Sequence, residues 1–239
     1  MEGECIAWGK GVWKSFNATR VFVDTSFCFK RGMSILWAPN GSGKSTLIKM
    51  ILGILRPDKG IVGFDRRLRV GVVLEDHVAL RATPLTQLVE YGAHVKGGRV
   101  DFGILEVLGL RSEVGKTIGE LSAGNSKKAL IAQALVGDPE LLVLDEPLAN
   151  LDPASRVTIS MFLNELRDRG VNMIIATHIL SLLQPDHVYT ISNYKILGPY
   201  KLSRERRVHA INPETGEEES VDVNEALRLY QKGWVIIDS

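Results

Sequence analysis

The chain has 239 residues, 45% hydrophobic and 24% charged, with 29 basic against 28 acidic side chains and a formal net charge of +1. That length allows one large domain, or one domain with an appendage, around a substantial core. The even charge balance gives no argument for a nucleic-acid or membrane-surface partner held by bulk electrostatics. The longest apolar runs, such as Leu141–Leu144 and Met173–Ala176, are far too short to cross a bilayer. The acidic opening Met1-Glu2-Gly3-Glu4 leads into no apolar stretch, so no secretion signal is expected and any membrane role falls to a partner. Cys5 and Cys28 lack a metal-ligand spacing, and free thiols in a reducing compartment are the expected state.

In chain order, residues 20–29 alternate (Val21, Val23, Phe27, Phe29) and read as an antiparallel edge region. Ser34–Trp37 is a short buried strand running into a glycine-rich loop. Behind the loop Leu47, Ile48, Ile51, Leu52 and Leu55 recur at helical spacing until Pro57. Val70–Leu74 is a second buried strand, and residues 84–118 form a helical block with many glycines. A helix from about Gly124 to Val136 precedes strand Leu141–Leu144. A helix from about Pro153 to Arg169 and the strands Val171–Thr177 and Val188–Ile191 follow. Apolar strands alternating with helices predict an α/β fold with buried parallel strands. Beyond about Ser203, Arg206–Ile211, the turn-like Asn212–Gly216 and Ser220–Val223 suggest a hairpin, followed by a short helix (Asn224–Gln231) and a last strand (Trp234–Ile237).

Ala38-Pro39-Asn40-Gly41-Ser42-Gly43-Lys44-Ser45-Thr46 lies between a strand and a helix, the context that gives a phosphate loop its meaning. Gly41 and Gly43 let backbone N–H groups curl round phosphate oxygens, and the helix start aims its unpaired N–H groups at the anion. Lys44 supplies a cation for the β and γ phosphates, and the Ser45 hydroxyl a hard oxygen for Mg²⁺. Asn40, Gly41, Ser42, Gly43, Lys44, Ser45 and Thr46 are thus candidate ATP contacts. Ala38 stands where such loops begin with glycine, a position that opens the loop and tolerates the change.

Leu141–Leu144 ends in Asp145-Glu146-Pro147. Ligands of open α/β sheets bind beyond the carboxyl ends of strands, so both acids are expected beside the phosphate loop. Asp145 is the candidate Mg²⁺ ligand and Glu146 the candidate general base.

With these motifs in place, residues 5–200 resemble the ABC ATPase family. Leu121-Ser122-Ala123-Gly124-Asn125 is similar to its signature Leu-Ser-Gly-Gly-Gln, an element that in the family binds the γ-phosphate of ATP held on the opposite subunit. The resemblance implies nucleotide contacts from Ser122, Gly124 and Asn125. It also implies a D-loop at Leu148–Asp152, with Asp152 communicating between sites, and a catalytic switch histidine at His178. Phe16 matches the aromatic that stacks on adenine, with Trp13 as a competitor. Glu75 aligns with the Q-loop glutamine and would be a third Mg²⁺ ligand. Ala38, Glu75, Ala123 and Asn125 depart from the family pattern, which leaves open a heterodimer with unequal sites or a weakly active regulatory cassette.

The fold so implied is a P-loop NTPase core with a mostly parallel sheet, an antiparallel β edge region, an inserted helical subdomain at about 76–137 and a C-terminal β-hairpin/helix appendage. The ABC ATPase domain would span 1–202 and the appendage 203–239. The implied function is Mg²⁺-dependent ATP hydrolysis powering a transporter. The partners would be a second ABC ATPase subunit and an integral membrane permease, with no nucleic acid. The chain would then be cytoplasmic, peripheral at the inner face of the cell membrane. A soluble ABC ATPase acting as an assembly or regulatory module is the alternative.

Overall fold

The computed structural model describes residues 5–74, 80–96, 102–180, 182–201, 207–213 and 215–237. The chain opens with two long antiparallel strands, β1 (Cys5–Phe16) and β2 (Thr19–Lys30), joined by a two-residue turn in which Asn17 takes a left-handed φ of 51°. β3 (Met33–Trp37) delivers the chain to the glycine-rich loop, and α1 (Lys44–Ile51) leaves it. The helix stops at Ile51 rather than near Pro57, so the later Leu55 packs from a loop.

β4 (Lys59–Phe64) returns to pair with β1, making a three-stranded sheet in the order β2-β1-β4. Neither β1 nor β4 was expected. Gly9, Gly11, Gly60 and Gly63 interrupt the alternation that marks a strand, and the register slips between Lys10 and Trp13.

The principal sheet has six strands in the order β5-β6-β7-β3-β8-β9. β5 (Val70–Val73), β6 (Leu141–Asp145), β7 (Asn172–Thr177), β3 and β8 (His187–Ser192) run parallel; β9 (Lys195–Tyr200) turns back antiparallel at the edge. Successive side chains of a strand face opposite ways, and each face has its own core. Leu142 and Leu144 join Met33, Ile35, Met173 and Ile175 under the helices. Leu141 and Val143 join Leu36, Ile174 and Ala176, packed against α1 and the Phe22, Phe27 and Phe29 rings of β2. This double burial is why the strands read as continuous aliphatic runs.

Between β5 and β6 lie α2 (Leu85–Lys96), the short α3 (Gly103–Val107) and α4 (Ala123–Leu135), with single 3-10 turns at Arg111–Glu113 and Ile118–Glu120. The glycine-rich block is thus only partly helical. α5 (Pro153–Asp168) connects β6 to β7.

At the C-terminal end β10 (Arg207–Ile211), β11 (Glu218–Asp222) and β12 (Val235–Ile237) form a small sheet, with α6 (Val223–Gln231) between the last two. Val223 opens the helix instead of closing the hairpin, because Asp222 caps it, accepting from Asn224 and Glu225 N–H at 2.8 and 3.0 Å. Val208, Ala210, Val221, Ala226 and Leu229 share a core with Val157 of α5 and with Leu182.

The expectation of free thiols is corrected. The β1–β2 hairpin folds back on itself and brings Cys5 and Cys28 to a Cα separation of 5.3 Å, where a disulfide joins them. Their 23-residue spacing carries no such signal, since it becomes proximity only once both strands and their bulges are known.

Candidate functional site

The strand register sets the site. Trp37 at the end of β3 pairs with Thr177 at the end of β7, and Asp145 at the end of β6 pairs with Ala176. The loop, the two acids and His178 therefore emerge together at the carboxyl edge of the sheet.

Gly41 (φ 77°) and Gly43 (φ 105°) hold left-handed backbone angles, the second as the residue capping α1. A Cβ on Gly43 would meet Val21 Cγ1 at 2.5 Å, so glycine is required there for close packing as well as for φ. Val21, Asn40, Gly41, Gly43, Lys44, Ser45, Thr46 and Glu146 line a hollow of about 410 Å³. The buried Ser42 Oγ makes no hydrogen bond among the described residues. A cradle of glycine backbone, the Lys44 cation and the start of a helix fits a polyphosphate.

Lys44 is almost wholly buried. Its Nζ donates to the carbonyls of Ala38 (2.8 Å) and Pro39 (3.1 Å) and lies 2.9 Å from Glu146 Oε1. The other carboxylate oxygen, Oε2, is 3.0 Å from His178 Nδ1. Glu146 has a left-handed φ of 49°, rare for a non-glycine residue, and its N–H donates to Ala176 O at 2.8 Å. Such a conformation persists only where its surroundings fix it. Here that backbone bond and two side-chain partners do so, turning the carboxylate back over the loop. Asp145, only 1% exposed, precedes it.

The structure thus brings together Asn40 through Thr46, Glu146 and His178. The hollow does not include Phe16, which is 46% exposed at the β1–β2 turn with Lys14 Nζ 5.2 Å from its ring centroid. Trp13, its competitor, is covered by Lys59. Glu75 lies outside the described residues.

Ser122, Gly124, Asn125 and Asp152 form a second group, where α4 and α5 begin. Ser122 caps α4 by accepting from Asn125 N–H at 3.2 Å. Asp152 caps α5, accepting from Ser155 N–H at 2.9 Å and Ser155 Oγ at 2.6 Å. A Cβ on Gly124 would fall 2.2 Å from Ser155 Oγ and 2.8 Å from its Cβ, so the two helix starts touch through that glycine. Asp152 is therefore a capping residue within the chain, and none of these four lines the hollow.

The Ser155 bonds hold the Asp152 carboxyl below its usual value. A carboxylate whose pKa is depressed on folding adds stability that is complete above its unfolded value and is lost as pH falls through the folded one. Asp152→Asn is accordingly expected to weaken the pH dependence of stability below about pH 4. Denaturant melts of both proteins across that range check this; parallel curves would count against it.

Val21 and the Lys44–Glu146 pair escaped the sequence reading. Val21 looks like any strand valine, and its role follows only from the β2 strand passing over Gly43.

A family described as ABC transporter matches residues 23–149. The chain is 34% identical over 187 residues to the Nod factor export ATP-binding protein I of Rhizobium johnstonii, an alignment covering 71% of this chain and 60% of that protein. It is 35% identical to the protein of that name from Bradyrhizobium diazoefficiens, covering 71% and 61%. The chain thus spans about three-fifths of the length of these relatives. Among solved structures, cbiO1 from Clostridium perfringens, part of the ABC transporter complex cbiONQ, superposes with a TM-score of 0.68 at 27% identity, covering 82% of this chain and 88% of that one. The ADP conformation of an ATP-binding cassette of an ABC transporter gives 0.67 at 26% identity, covering 81% and 89%. With the phosphate loop, the strand-end acids and the histidine converging as described, the chain belongs to the ABC transporter family.

Proposed function

We propose that this chain binds and hydrolyses ATP to drive transport through a separate membrane-embedded subunit. The buried Lys44–Glu146 pair over the glycine loop, with the His178 ring against its outer carboxylate oxygen, carries the reading. The loop N–H groups hold the β and γ phosphates, and Lys44 exchanges Glu146 for phosphate oxygen. Glu146, released from the lysine, accepts a proton from the attacking water. His178 orients that water, so catalysis is mostly positioning and electrostatics. Mg²⁺, for which Ser45, Asp145 and Glu75 offer hard oxygen donors, would neutralise charge on the phosphates.

Phe16, exposed at the β1–β2 turn, stacks on the adenine in this reading. The second group acts in a dimer of ABC subunits: Ser122, Gly124 and Asn125 of one chain close on the nucleotide of the other, with Asp152 fixing the helix they abut. Among the described residues no helix is long and apolar enough to cross a membrane; in this reading the chain is a peripheral subunit on the cytoplasmic side and its partner crosses the bilayer.

Glu146→Gln is the direct test. It is expected to retain ATP binding, lose at least about 10²-fold in hydrolysis, and accumulate as an ATP-bound dimer. Undiminished turnover in this variant would remove Glu146 as the base. Purification with a polytopic membrane protein supports the transport half; purification within a soluble complex supports an assembly module instead.

A further inference from the structure

Trp37 is the last residue of β3, immediately before the phosphate loop, and it is 46% exposed. A tryptophan gains most from burial, so one half-exposed at the mouth of a reactive site has another role to explain. Its indole Nε1 donates to the main-chain carbonyl of His178 at 3.2 Å. The same segment is gripped twice more. Thr177 Oγ1 accepts from Ile179 N–H at 3.0 Å and donates to Ile179 O at 3.2 Å, while Ala38 N–H donates to Thr177 O at 3.3 Å.

These bonds leave the main chain at His178 little freedom. The consequence falls on the imidazole, whose Nδ1 reaches Glu146 Oε2 at 3.0 Å although the side chain is 37% exposed. An exposed ring on a loop keeps one rotamer only if the backbone beneath it is fixed. The one clamp reaching His178's own carbonyl comes, among the described residues, from the strand residue just before the phosphate loop.

We propose that Trp37 is a positioning residue: its indole N–H fixes the His178 backbone so that the imidazole meets Glu146. This ties the phosphate loop to the histidine, so a movement of one is felt by the other. The proposal rests on the reading of Glu146 and His178 as the hydrolytic pair, but the geometry it asserts can be measured without turnover.

The test is Trp37→Phe, which keeps an aromatic ring while removing the donor together with part of the ring bulk. In the nucleotide-free chain, the ¹⁵N signals of the His178 ring are expected to move toward those of Glu146→Gln, which alters the same contact from its other side. With ATP and Mg²⁺, kcat should fall about fivefold, the worth of one ordinary hydrogen bond, with KM for ATP changed less than twofold and the melting temperature essentially unchanged. Unmoved ring signals together with unchanged kcat overturn the proposal. Moved ring signals with unchanged kcat uphold the positioning and sink the catalytic role of His178, so the two failures are distinct. A fall in kcat with unmoved ring signals overturns the proposal as well, since Trp37 would then act by another route.

Discussion

Replacing Lys44 by methionine is expected to abolish ATP binding and to lower the stability of the nucleotide-free protein by about 3 kcal/mol. Loss of binding follows from removing the one cation that lines the phosphate hollow among its described residues. The stability loss has a separate origin. Lys44 and Glu146 are each 4% exposed at the side chain and 2.9 Å apart, so removing the ammonium leaves a buried carboxylate without its principal counter-charge. Breaking such a pair from one side costs about 3–5 kcal/mol, and the lower end applies because His178 still holds Oε2. For a chain of this size that is a fall of about 6–12 °C in melting temperature.

The partner substitution separates the two effects. In Lys44→Met/Glu146→Gln the buried charge is gone from both sides, so most of the lost stability should return while ATP binding should not. Denaturant melts of the wild type, both single variants and the double variant give the coupling directly. Simple additivity would show that the pair contributes nothing in the nucleotide-free chain.

Legibility in the sequence followed the kind of signal each feature uses. The central strands were readable because Leu141–Leu144 and Met173–Ala176 are buried on both faces and therefore uniformly aliphatic. The phosphate loop was readable because its residue types are dictated at consecutive positions. β1 was not, since Gly9 and Gly11 break its alternation; nor was β9, an edge strand with one buried residue, Ile196. The same division runs through the site. Loop, acids and histidine each sit at a strand end, so topology alone assembles them. The Lys44–Glu146 contact depends on the left-handed turn at Glu146, and the Trp37 bond on the β3–β7 register, and neither leaves a mark in local composition. Asp152 shows the converse: family position suggested a role between sites, while its hydrogen bonds make it first a helix cap.

The second large effect is expected from the Cys5–Cys28 disulfide. It closes β1 and β2 into a covalent loop spanning a 23-residue separation, and the loss of unfolded-chain entropy for that length is worth about 3 kcal/mol. Reduction, or the paired replacement Cys5→Ser/Cys28→Ser, should therefore lower the melting temperature by about 6–12 °C. The loss should appear as a less stable β2-β1-β4 sheet rather than a damaged phosphate hollow. That sheet is anchored by Phe22, Phe27 and Phe29 in the shared core as well as by the sulfur bridge. Reductant should move the wild-type melt and leave the serine variant where it is. Mass analysis of the unreduced, denatured protein after alkylation should find no free thiol. Two alkylated cysteines in protein prepared without reductant would refute the bond. A wild-type melt that ignores reductant while the thiols become reactive would show that the packing of the three phenylalanines, and not the bridge, holds the hairpin closed.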